Sequence, residues 1–455
     1  MIIISIGFSR RYASMNMRDI IIAKRDRHSL TDEQISFFVK GVTDGSIPDY
    51  QTSALLMAIL LNGMDDREMT TLTLEMAASG KQLELPYIEG VAVDKHSTGG
   101  VGDKVTPILL PLIASFGVEV VKLSGRGLGF TGGTVDKFES VKGFNVEVDT
   151  KDFHQYVIKS GMVISGQTPD LAPADKILYS LRDVTGTVDS IPLIASSIMS
   201  KKIAGGAMGI VLDVTCGSGA FMKDYDMAKE LAEAMIRIGN LAGRKTVAVI
   251  TNMDEPLGRF CGNILEMQEV LNTVTGKGEE DVIEVVTELA YHLITIAGKD
   301  AGMSPEVLRG EIKARLSDGT CYEKYKELII SQGGEINAYG SPVYVDKPFD
   351  CMHVNSPDAG YVQSIRTDLI GQASVLLGAG RLKKTDSIDY GAGIGFFAKV
   401  GDKVSRGDSL CALYHGEKNE LPEERLFDAM DLILEAYEVG PDKPEKKPSI
   451  LGVIT

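Results

Sequence analysis

Between residues 17 and 79 apolar positions recur only at helical spacing: Ile20, Ile21 and Ile22, then Ile35, Phe37, Phe38 and Val39, then runs at 54–61 and 69–78. Thr31 and Gln34 precede the second group with the spacing of a capping box. This pattern predicts a small helical domain. From residue 91 the texture changes, and short apolar strands at 91–93, 118–121, 209–214 and 247–251 alternate with helical runs such as 106–114. Alternation of this kind predicts a larger α/β domain with a mixed, largely parallel sheet, whose ligands bind beyond the carboxyl ends of the strands. Residues 80–90, with Pro86, read as a linker, and a helical stretch at 174–206 interrupts the alternation. Beyond about residue 344 short β-rich runs with turns predict a C-terminal α+β subdomain. The expected organisation is an extension at 1–16, a helical domain at 17–79 and 174–206, an α/β domain at 80–173 and 207–343, and the subdomain at 344–455.

Composition narrows the class. A chain of 455 residues can hold two or three domains. Its net charge of -16 opposes nucleic acid and anionic membranes, because such partners need a basic face. Five widely spaced cysteines without a CxxC indicate neither a disulfide framework nor a zinc site, which fits the cytoplasm. No apolar run approaches the ~20 residues of a membrane span. The apolar start is followed by Arg10 and Arg11, the reverse of a secretory signal's charge order, so 1–16 reads as a disordered extension with Met15 or Met17 as a second candidate start.

Candidate chemistry concentrates in two Gly-rich loops. The first is Asp94-Lys95-His96-Ser97-Thr98-Gly99-Gly100-Val101-Gly102-Asp103-Lys104, directly after a strand. The second spans 124–139 and interleaves five glycines with Ser124, Arg126, Thr131, Thr134, Asp136 and Glu139. An isolated glycine pair is commonly only a linker. Here both loops also carry hydroxyls and lysines, the donors and charges that an oxyanion needs. Lys95, Ser97, Lys122, Ser124 and Thr134, with Thr106, offer such donors, and together with His96 and Leu123 between them they are the candidate phosphate-binding residues. GxxxxGK[ST] does not occur, which argues against nucleoside triphosphates. Ser197 and Lys201, four apart, would share one helix face.

Four blocks, at 95–103, 124–139, 182–185 and 190–202, recur in this order in the pyrimidine-nucleoside and thymidine phosphorylase family, which the chain resembles from about Met17 to its C-terminal region. The resemblance implies a pentosyltransferase that uses inorganic phosphate to split uridine, thymidine and deoxyuridine into free pyrimidine and α-pentose 1-phosphate. It implies a homodimer through the helical domain, and a fold-back of 174–206 that sets the cleft between domains. It places His96 against the pyrimidine, giving a hydrogen bond or a proton to the departing base, and Arg182, Ser197 and Lys201 on the base's polar edge. These four are the implied catalytic residues. It further implies K+ at Gly102, Lys104, Leu257, Phe260 and Glu269. Lys104 stands where some relatives have a threonine; this is harmless if a main-chain carbonyl is the ligand and disruptive if the hydroxyl is. Lys122 matches the broad-specificity members rather than the methionine of thymidine-restricted ones, and Phe130 departs from a histidine frequent there.

Three rivals follow. One is a thymidine-restricted phosphorylase. Another is a glycosyltransferase like anthranilate phosphoribosyltransferase, whose Gly-rich loop resembles 98–102 but lacks the 182–201 block. A binding protein without activity would have no use for Lys95, His96, Arg182, Ser197 and Lys201 together. The run 400–410 resembles a hairpin of a biotinyl or lipoyl carrier hammerhead without the modified lysine, so hammerhead-like hairpins of purely structural role are expected there.

Overall fold

The computed structural model describes residues 15–127, 132–381, 383 and 386–455. The expected extension, up to residue 14, and Phe130 lie outside them. Asn16, placed in that extension by the sequence, is instead the cap of the first helix: its side chain accepts from Arg18 N at 2.9 Å.

Helices α1 (Met17–Arg25), α2 (Asp32–Thr43), α3 (Asp49–Asn62) and α4 (Asp66–Ala78) build the small domain. The capping box at Thr31 and Gln34 forms, and Asp65 with Glu68 makes a second one. Glu68 also takes the buried Lys24 ammonium at 2.8 and 2.9 Å and Leu30 N at 2.7 Å. One carboxylate thereby ties α4 to α1 and to the loop before α2.

The α/β region runs β1 (Val93–Ser97), α5 (Val105–Ala114), β2 (Val120–Ser124), α6 (Thr134–Glu139), α7 (Phe153–Ser160), β3 (Met162–Gly166), α8 (Pro173–Thr185), α9 (Ile191–Ala204), β4 (Gly209–Cys216), α10 (Tyr225–Leu241) and β5 (Lys245–Asn252). Strands β1, β4 and β5 pair in parallel, in that order. Strands β2 and β3 form a second parallel pair beside β1, where Lys122 Nζ donates to Lys95 O at 2.7 Å. The sequence pattern ended the first strand at its first charge. The strand instead continues through Asp94 and Lys95, because both side chains are buried against ionic partners rather than turned to water. Helices α8 and α9 are the interrupting stretch, and Ala174, Leu178 and Leu193 join Ile20, Phe38, Leu55 and Leu72 in one apolar core. Strand β6 (Phe260–Cys261) follows, and helices α11 (Asn263–Val274), α12 (Glu280–Ile296), α13 (Pro305–Ser317) and α14 (Thr320–Ser331) after it pack against α5.

The C-terminal region holds β7 (Pro348–Asn355), β8 (Gly360–Ile365), α15 (Thr367–Leu376), β9 (Gly393–Phe396), β10 (Lys403–Val404), β11 (Ser409–Gly416), α16 (Glu423–Ala436), β12 (Tyr437–Gly440) and β13 (Ile450–Ile454). Its antiparallel sheets run β6-β9-β11-β7 and β10-β8-β12. Two features correct the sequence reading. The run 400–410 is not a hairpin: β10 pairs with β8 while β11 pairs with β9 and β7, and a turn held by Ser405 N on Asp408 Oδ2 at 2.7 Å passes the chain from one sheet to the other. Strands also cross the boundary expected near 344. Strand β6 edges the C-terminal sheet, and β13 closes the main sheet antiparallel to β5. That antiparallel edge is what makes the main sheet mixed.

Candidate active site

Strands β1 and β2 deliver the two Gly-rich loops to the same end of the sheet, and α8 and α9 stand opposite them. A cavity of about 1660 Å³ opens between these walls. His96, Ser97, Thr106, Lys122, Leu123, Ser124 and Thr134 line one side, and Arg182, Ser197 and Lys201 the other. Residues far apart in sequence therefore face one space. Backbone conformation matters at two glycines. Gly102 has φ +78, and a Cβ there would lie 2.7 Å from Leu257 O. A Cβ on Gly133 would lie 2.0 Å from Gly127 N, so the second loop closes on itself only with glycine at that position.

Thr106 lies in the first turn of α5, where free backbone N–H groups and the helix dipole favour an anion. Asp136 fixes the second loop by accepting from Gly127 N at 2.6 Å. Arg381, from the C-terminal region, reaches both Gly127 O at 3.3 Å and Asp136 at 3.0 Å. Nothing in the sequence pointed to Arg381, because its partners lie some 250 positions away in the chain.

Beneath the loops the structure holds a dense array of buried charges. Asp94 lies between Lys122 Nζ at 3.2 Å and Lys202 Nζ at 2.6 Å. Burial alone would raise the Asp94 carboxyl, but the two ammoniums hold it below the ordinary carboxylate range. Burial drives the Lys122 ammonium down to about 7, opposed by Asp94 and assisted by Lys202 and Lys95. A doubly charged anion beside it would favour its protonated form. The His96 imidazole is held well below its ordinary range, first by burial and then by Lys202, Lys122, Lys201 and Lys95. In the substrate-free protein it is therefore neutral at pH 7 and suited to donating a hydrogen bond. Lys202 lines the cavity and was not anticipated, though its doublet with Lys201 was a signal available in the sequence.

Lys95 is placed differently from the other expected phosphate-binding residues. It does not line the cavity; it lies one layer beneath, with Nζ 2.8 Å from Asp213 and 3.9 Å from Asp103. Burial opposes its charge, but Asp103 and Asp213 outweigh it and raise the ammonium above its ordinary range.

On the opposite wall, Arg182 donates from Nε to Thr187 O at 3.1 Å and from its terminal nitrogens to Leu193 O at 3.2 Å and Val188 O at 2.6 Å. These bonds shape the connector between α8 and α9 and use three of the five guanidinium donors. Lys201 Nζ binds Asp175 at 2.6 Å and Ser197 Oγ at 2.9 Å, so the four-residue spacing does place Ser197 and Lys201 together.

The expected cation ligands do come together, but around a side chain. Lys104 Nζ donates to Leu257 O at 2.5 Å, Phe260 O at 2.8 Å and Glu269 Oε2 at 2.5 Å, with Gly102 packed against the same two carbonyls. The residues present do not fit K+, because the ammonium already stands where the ion would. Among the described residues no cluster of His, Cys, Asp and Glu could hold a metal ion, and no helix is long and apolar enough to cross a membrane.

Comparison with known proteins agrees with this architecture. Residues 18–80 match the glycosyl transferase family helical bundle domain, 89–321 the glycosyl transferase family a/b domain, and 361–435 the pyrimidine nucleoside phosphorylase C-terminal domain. A pyrimidine-nucleoside phosphorylase of Bacillus subtilis (strain 168) is 50% identical over 405 residues, 89% of this chain and 93% of its own. That of Geobacillus stearothermophilus is 49% identical over 400 residues, 88% of this chain and 92% of its own. Among solved structures, anthranilate phosphoribosyltransferase (TrpD) from Thermus thermophilus superimposes with a TM-score of 0.55 at 16% identity, over 69% of this chain and 98% of that one, a likeness of fold alone.

Proposed function

The chain belongs to the pyrimidine-nucleoside phosphorylases of the glycosyl transferase family, and from that premise we propose that it catalyses reversible phosphorolysis of uridine, thymidine and deoxyuridine to free pyrimidine and α-pentose 1-phosphate. It is a pentosyltransferase with inorganic phosphate as co-substrate. The observation that carries the assignment of the site is the single cavity faced by the hydroxyl-rich loops on one wall and by Arg182, Ser197 and Lys201 on the other.

In this reading Ser97, Thr106, Lys122, Ser124 and Thr134 hold phosphate, and one of its oxygens attacks the anomeric carbon from the face opposite the base. The new C–O bond forms as the C–N bond breaks, and the electron pair leaves with the pyrimidine. Arg182 and Lys201 stabilise that developing anion, while neutral His96 and Ser197 donate hydrogen bonds to it. The nucleophile and the carbon are held by opposite walls, so approach of the walls sets near-attack geometry. Lys122 borders the cavity, and a lysine there can donate to phosphate or a ribose hydroxyl, which supports uridine as well as thymidine.

The test is base release from uridine, thymidine and deoxyuridine with and without phosphate. All three are expected to react, phosphate should be obligatory, and arsenate should replace it, because a tetrahedral oxyanion and not water is recognised. Equal release from uridine in buffer free of both anions would identify a hydrolase, and indifference to uridine would restrict the scope to thymidine.

A homodimer formed through the helical domain belongs to the same proposal. Tyr50, Ala54, Met57 and Leu61 line one exposed face of α3, with Tyr50 74% and Leu61 73% exposed. That face is more apolar than water contact favours. Light scattering at micromolar concentration should give twice the chain mass, and a monomer would contradict it. The free cysteines and the absence of a spanning helix among the described residues are compatible with a cytoplasmic enzyme.

A further inference from the structure

The loop at 256–260 runs between the phosphate-side helix α5 and the C-terminal sheets, and its carbonyl groups point at two lysines. Lys399 Nζ, from the C-terminal region, takes Pro256 O, and Gly258 O at 3.0 Å, with Asp281 at 3.1 Å. Lys104 Nζ, at the start of α5, takes Leu257 O, Phe260 O and Glu269. Glu269 is itself oriented by Arg259 N at 2.7 Å on its other oxygen and by Phe260 N at 3.2 Å. Lys104 has no accessible surface, and Glu269 has almost none.

A buried nest of two main-chain carbonyls and one ionised carboxylate has no neutralising partner of its own. Without a cation, Glu269 would be an uncompensated buried charge. Ammonium and K+ have nearly the same radius, so oxygens placed for one suit the other, and two cations cannot share one seat. We propose that the Lys104 ammonium is the built-in occupant of a monovalent-cation seat, so that the protein needs no K+ to hold the 256–260 loop against α5. Burial opposes the charge on Lys104, but Glu269 and Glu266 outweigh it, and the side chain stays protonated. A tethered cation does not dissociate. The seat beside Gly102, and through it the first phosphate loop, then keeps its geometry at any salt composition.

The inference concerns the structure of this seat and does not require the proposed activity, so its main readout is the melting temperature of the full chain without substrate. The wild-type protein is compared in tetramethylammonium, sodium and potassium chloride at equal ionic strength, with phosphorolysis measured alongside. Equal melting temperatures and equal rates in the three salts are expected. Lys104→Ser opens the seat: in tetramethylammonium its melting temperature should fall by roughly 5 °C or more, and K+ should restore it saturably, as a ligand of the native state does. Lys104→Met, which fills the seat with an apolar chain, should be destabilised without recovery in K+. A wild-type protein whose melting temperature or rate rises specifically with K+ overturns the proposal. So does a folded Lys104→Ser protein on which K+ acts no differently from tetramethylammonium. If the serine variant does not fold in any salt, the wild-type comparison alone decides.

Discussion

Turnover by Arg182→Ala and by Lys201→Ala is expected to fall by ~10²-fold or more, the scale on which enzymes lose rate when a donor to developing charge is removed. The argument rests on where charge appears in phosphorolysis. The phosphate nucleophile arrives already anionic, whereas the pyrimidine becomes anionic only as the bond to the sugar breaks, so groups aimed at the base act mostly on the transition state. Lys201 is oriented by Asp175 at 2.6 Å and Ser197 at 2.9 Å, and Arg182 by three main-chain carbonyls. Pre-orientation of this kind means the donors need not reorganise during the reaction. Arg182→Ala also frees the carbonyls of Thr187, Val188 and Leu193, so its melting temperature should be measured beside its kinetics. Lys201→Ala leaves that connector intact and is the cleaner test. Near-normal kcat in both variants would remove the base-binding role from this wall.

Lys95→Met is expected to lose stability on the order of 3–5 kcal/mol, because it leaves Asp213 and Asp103 without their buried cation. The Lys95 and Asp213 side chains are 3% and 2% exposed, so water cannot take over that role. Urea unfolding of the substrate-free protein is the measurement. The double variant Lys95→Met with Asp213→Asn should recover part of the loss, since it removes the orphaned charge with its partner. From the sequence alone, Lys95 reads as a phosphate ligand. A variant of unchanged stability whose phosphate KM alone rises would restore that reading.

The difference over Lys95 illustrates a general asymmetry. A lysine in a hydroxyl-rich, Gly-rich loop offers the same chemistry to a ligand and to a buried carboxylate, and only the direction of its side chain separates the two. Residues 95 and 96 point to opposite faces of β1, so His96 lines the cavity while Lys95 faces the interior. Alternation predicts such a division once the strand is known to continue past its first charge. The apolar pattern could not show that continuation, because the charges within the strand are compensated by Asp213 and Lys202, which lie far along the chain.

Local order was legible without coordinates. Helical periodicity and the Thr31 capping box marked the small domain, alternating strands and helices marked the α/β region, and the glycines, hydroxyls and lysines of two loops marked a candidate anion site. These features depend on interactions within a few residues, and the sequence determines them directly. Tertiary structure decided what depends on partners remote in sequence: β13 closing the main sheet, Arg381 bracing the second loop, Lys202 joining the site and Lys104 filling the seat at 256–260. The physical reason is that a buried charge is defined by its counter-charge, and a buried carbonyl by its donor. Neither pairing is fixed until the chain has folded.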